Sequence, residues 1–120
     1  MKQILAAAAL SLIAVPALAQ QGAMVEVADQ TMVSDFNLTA DAVGELDVYT
    51  SDGTKIGEVE DVVGPDQNTA QGIAVDFDDN ATDYGREDRV IPIDQFSVSE
   101  SRLVLSADAQ TVSSMPTWDD

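Results

Sequence analysis

The feature that most constrains this chain is a run of short apolar alternations, each cut off by turn residues before it can grow into a helix. Leu46, Val48 and Thr50 alternate with Asp47 and Tyr49, and Ser51-Asp52-Gly53-Thr54 then reads as a tight hairpin turn. Lys55 to Val63 follows, with Ile56 and Val59 out of strict two-residue phase, which predicts a bulge or bend near Gly57. After a second turn over Gly64 to Asn68, Ile73, Val75 and Phe77 share one face of a half-buried strand. Val90-Ile91 resumes a strand that Pro92 confines to an edge or an end, Phe96 and Val98 follow in another, and Arg102 to Leu105 forms the last. Ser106 is placed to cap a short helix from Ala107 to about Ser114, ended by Met115-Pro116. About six short strands with turns of Gly, Asp and Pro predict an all-β domain, a small barrel or sandwich.

The start of the chain reads differently. Lys2, an apolar stretch from Ile4 to Val15, Pro16 and the small-x-small end Ala17-Leu18-Ala19 form, in that order, a cleavable secretory signal over residues 1–19. The style is bacterial, so the expected location is the periplasm or the medium. The apolar run falls short of the roughly 20 residues that span a bilayer, so no stable membrane insertion is expected after cleavage. Residues 20–44 form an N-terminal arm of weak pattern, with fragments of alternation at Val25, Val27, Met32 and Val33. One helical turn is expected over Thr39 to Val43, with Thr39 as its N-cap and Gly44 as its stop.

Composition then closes off chemistry. The chain has no Cys and no His, against 22 acids and 5 bases, for a net charge of −17. Cleavage would remove only Lys2 and leave −18. Disulfides, thiol catalysis, His-based metal sites and a Ser-His-Asp triad are all impossible. A charge of this sign repels nucleic acid and anionic membranes and favours basic partners or a salty medium.

Asp47-Val48-Tyr49 followed by Ser51-Asp-Gly-Thr-Lys-Ile-Gly-Glu-Val-Glu-Asp-Val62 resembles the opening hairpin of the PRC-barrel family, whose namesake is the cytoplasmic domain of the photosynthetic reaction-centre H subunit. Val90-Ile-Pro-Ile93 is similar to that family's V-x-(I/V)-P strand, and Arg102 to Leu105 and Ala107 to Pro116 to its last strand and closing helical turn. The likeness covers residues 45–118. It implies a small barrel of about six strands that acts as an adaptor or assembly module, with no fixed catalytic set and no cofactor. Where relatives often carry Gly-Gly-Phe-x-Gly after the third strand, this chain has the acidic stretch Asp76 to Asp88.

That stretch holds the one motif with possible metal chemistry. Asp76, Asp78, Asn80, Thr82, Tyr84 and Glu87 occupy the first, third, fifth, seventh, ninth and twelfth positions of an EF-hand-like loop. Ala81 stands where the sharp turn wants Gly, Asp83 where an apolar anchor belongs, and the flanks read as strands. A solvated acidic loop is the favoured reading. A Ca2+ site on Asp76, Asp78, Asn80, Thr82 and Glu87 is the alternative. Glu58, Glu60 and Asp61 form a second carboxylate group, read as a charged strand edge rather than an acid/base pair. Arg86 and Arg89 are expected to pair locally with Glu87 and Asp88, and Trp118 to cover core. The expected function is noncatalytic, through a protein partner or self-association.

Overall fold

The computed structural model describes residues 24–119. The secretory signal expected over 1–19 and the first part of the arm lie outside them. Nine strands and two short helices follow in order: β1 (Val25–Glu26), β2 (Met32–Val33), β3 (Leu38–Thr39), α1 (Ala40–Val43), β4 (Asp47–Thr50), β5 (Lys55–Gly64), β6 (Gly72–Phe77), β7 (Arg89–Pro92), β8 (Phe96–Ser99), β9 (Arg102–Leu105) and α2 (Ala109–Ser113). Single 3-10 turns occur at Thr82–Tyr84 and Ile93–Gln95. The main sheet runs β7-β6-β5-β4-β9-β8 and curls into a half-barrel. All its neighbours are antiparallel except β4 and β9, which run parallel.

β5 is long because it serves three partners. β6 follows nearly its whole length, while on the other side its first half pairs with β4 and its last residues with β1. The expected irregularity occurs twice. Val48 faces Gly57 while Tyr49 faces Lys55, so Ile56 is an extra residue; Val59 faces Val75 while Asp61 faces Ala74, so Glu60 is another. Each bulge resets the alternation, and that is how Val59 and Val62 both reach the core despite their odd spacing. Gly57 is needed at the bend, since a Cβ there would stand 2.5 Å from the Asp76 carbonyl oxygen. Gly53, at φ +94°, supplies the left-handed residue of the β4–β5 turn.

Ile73, Val75, Ile91, Leu103 and Val48 lie on the concave face and are wholly buried. The N-terminal arm joins this same core: Val27, Val33 and Val43 are buried in it, and the arm adds β1 to the main sheet and a small β2–β3 hairpin. Thr39 caps α1 as expected, its Oγ1 accepting the Ala42 amide at 3.2 Å. The cap of α2 differs from expectation. Asp108 takes the role, its carboxylate accepting the Thr111 amide at 2.8 Å. Ser106 is engaged elsewhere, since its amide and its Oγ both donate to the Gln95 carbonyl. Among the described residues no polar or charged residue is buried, and no helix is long and apolar enough to cross a membrane.

Candidate functional site

A curled sheet filled by apolar side chains leaves only its surface for function. A concavity of about 660 Å³ opens where β6 and β7 meet the turn after α2. Its walls are Met24, Gly72, Pro92, Ile93, Met115 and Pro116, and Asp35 and Asp94 stand at it as the charged groups. Gly72 pairs with Pro92 in the sheet, and the Ile93 amide donates to the Gln71 carbonyl at 3.1 Å, which fixes the floor. The 3-10 turn at Ile93–Gln95 buries Ile93 and leaves Asp94 exposed.

The far wall is built by the chain after α2. Asp108 starts that helix, and its carboxyl is held below its ordinary range by hydrogen bonds from Thr111. Met115 donates its amide back to Val112, and Pro116 then turns the chain along β7. Val90 donates to the Pro116 carbonyl at 2.8 Å, Arg89 Nη1 donates to the Met115 carbonyl at 2.8 Å, and Trp118 donates its amide to Asp88. Trp118 Nε1 donates to Asp61 Oδ2 at 2.8 Å, so this half-buried indole lies along the outer face of the sheet. A rigid floor thus faces a wall held by hydrogen bonds across 26 to 57 residues of sequence.

The acidic stretch after β6 is only partly gathered. Asp76, Asp78 and Thr82 border a concavity of about 240 Å³ that Arg86 also lines. Asn80 borders a different depression beside Thr50 and Asp52, and Glu87 pairs with Arg89 at 3.5 Å. Asp78 is engaged by Lys55 at 3.6 Å. The backbone turns at Thr82–Tyr84, and the Tyr84 ring stacks on Phe77 with centroids 5.0 Å apart. Burial, then the nearby Asp83 charge, raises the Tyr84 phenol above its ordinary pKa. Among the described residues no three acids are placed to hold a metal ion. Glu58 pairs with Lys55 at 3.8 Å while Asp61 serves Trp118, so these carboxylates are engaged in different places. Asp52 is held low first by the Thr50 hydroxyl and then by Thr54, a turn interaction rather than a reactive one.

The model of the PRC-barrel domain matches residues 39–112, more than half of the chain. This chain belongs to the PRC-barrel family. The match starts inside β3 and ends inside α2, so it takes in all six strands expected from the sequence and omits β1, β2 and the Met115–Trp118 wall. No curated protein matches the chain. The PRC-barrel fold accounts for the small β-barrel module; the groove joins residues inside the match, Gly72 and Pro92–Asp94 among them, to Met24, Asp35 and Met115–Pro116 outside it. Sequence reading missed the groove because its walls come from Met24, Asp35, Gly72, Pro92–Asp94 and Met115–Pro116, which no local motif joins. The one local signal was Met115-Pro116, a methionine beside a helix stop.

Proposed function

We propose that this PRC-barrel protein is an exported, noncatalytic binding module that grips a segment of another protein in the groove between β7 and the Met115–Pro116 wall. The observation that carries the reading is the groove itself: apolar walls from Met24, Ile93 and Met115, with Asp35 and Asp94 as the fixed charges. Methionine walls adapt to varied apolar side chains, and two carboxylates beside them suit a Lys or Arg on the bound segment. The chain charge of −17 adds long-range attraction for a basic partner and raises the encounter rate. The secretory signal read at residues 1–19 supports an encounter in the periplasm or outside the cell. The lack of His and Cys, with an apolar interior, supports a noncatalytic role.

A photo-crosslinking side chain at Met115 tests this in cells. The reading expects one discrete adduct that weakens with salt and disappears in Met24→Asp, which places a charge on the groove wall outside the core. The same group at Ser51, distant in the sheet, should give none. Equal labelling from both positions, or none from Met115, would reject the groove as a protein-binding site.

A further inference from the structure

The sheet's other boundary is β8, at the opposite end of the strand order from β7. Among the described residues β8 hydrogen-bonds only to β9, with Val98 opposite Leu103 and Ser99 opposite Arg102. The hairpin closes through Glu100 and Ser101, both left-handed at φ 54° and 66°, so Ser99 and Arg102 form the closing bonded pair. The Gln95 carbonyl accepts the Ser106 amide at 2.8 Å, which confirms that odd-numbered residues of this strand turn their polar groups towards β9. The amide and carbonyl of Val98 therefore point outward. Among the described residues they have no backbone partner in another element, and the side chain is 36% exposed.

From this edge we infer a homodimer: two copies of the chain pair antiparallel through β8, on a two-fold axis at Val98. Three observations select a second copy as the occupant. An antiparallel pair exchanges one amide and one carbonyl from each of two facing residues, so Val98 on Val98 satisfies both outward groups of both copies. That register sets Ser97 against Ser99 and places no carboxylate opposite another. In a chain of charge −17, Phe96–Ser99 is an uncharged strand at a sheet boundary, whereas β7 carries Arg89 and β1 carries Glu26. The opposite end of the sheet is closed by Pro116–Trp118, so the pairing stops at two copies instead of continuing as a fibre. The strand is only 4 residues long, so the association is weak and reversible.

Self-repulsion between acidic copies sets the test. Sedimentation of the protein, purified in the form the cell accumulates, is measured over a concentration series at about 0.05 M and about 1 M NaCl, where the screening length falls from over 10 Å to about 3 Å. The inference expects a monomer–dimer equilibrium that tightens with salt. Val98→Pro removes the outward amide without touching the β8–β9 ladder, and should lower the association constant about tenfold or more with the circular dichroism unchanged. Val98→Asp sets two carboxylates face to face on the axis. It should abolish dimers at low salt and regain part of them at high salt. A monomer at every concentration and salt level, or a dimer that both variants leave intact, overturns the inference. Because Met115 and Ile93 lie at the other boundary, loss of β8 pairing leaves groove crosslinking unchanged, so either reading can fail alone.

Discussion

The two ends of this sheet are protected in opposite ways. At β7 the chain returns after α2 and covers its own edge: Val90 donates to Pro116, Arg89 pairs with Thr117 as an isolated bridge, and Trp118 reaches across to Asp61. At β8 nothing from the described chain returns, and Phe96 is the one residue of the strand that is buried. A covered edge is also a wall, and the same segment that blocks pairing at β7 creates the groove. A bare edge offers only backbone. The difference shows how a C-terminal segment laid along one end of a sheet covers that edge and forms a groove there, while the other end keeps its outward backbone groups.

Because both ends share one core, substitutions there should not tell them apart. Ile91→Ala within β7 and Leu103→Ala in β9 beside β8, both 0% exposed, should each cost about 2–5 kcal/mol in chemical denaturation. A large inequality would mean that the ends unfold separately. Trp118→Ala acts on one end alone. It removes the hydrogen bond to Asp61 and loosens the cover, at a cost of about 1–2 kcal/mol, and should speed amide exchange in β7 but not in β8.

Acid should also reach the covered end first. Folding lowers the pKa of Asp108 from 3.8 because Thr111 donates to its ionised form, so its stabilisation is present above 3.8 and lost as pH falls through the lower folded value. Trp118 fluorescence should then report loosening of the wall below that pH. Asp108→Asn, which caps without ionising, should remove the pH step while keeping the helix. Tyr84 acts with the opposite sign: its raised phenol binds its proton more tightly in the fold, so its contribution is present below pH 10.0 and lost as pH rises through the folded value. Tyr84→Phe should flatten that alkaline decline. The smallest effect belongs to Val98→Pro, whose monomer stability should change by less than about 0.5 kcal/mol, because no internal hydrogen bond is lost.

The strands β4 to β9 were legible because their apolar residues alternate and their turns carry Gly, Asp or Pro; Asp52-Gly53 and Ile73-Val75-Phe77 are the clearest cases. The bulge at Ile56 could be anticipated from the broken phase at Ile56 and Val59, whereas the second, at Glu60, could not. The arm was less legible. β1 and β2 have two residues each, too short for periodicity to speak, and only tertiary contact reveals Val27 and Val33 as core. The cap of α2 went to Asp108 because Ser106 was already committed to Gln95, a long-range contact invisible in local sequence. The candidate Ca2+ loop was visible as spacing, yet stacking of Tyr84 on Phe77 and pairing of Asp78 with Lys55 depend on neighbours that spacing does not specify. The groove was illegible for the same reason.

Residue-resolved hydrogen exchange tests the contrast between the two ends most directly. The Val90 amide, bonded to Pro116, should exchange only through partial or global unfolding, while the Val98 amide of the monomer exchanges at nearly the rate of an unstructured peptide and slows on raising concentration and salt. Equal protection of the two amides in dilute, low-salt monomer would contradict the account.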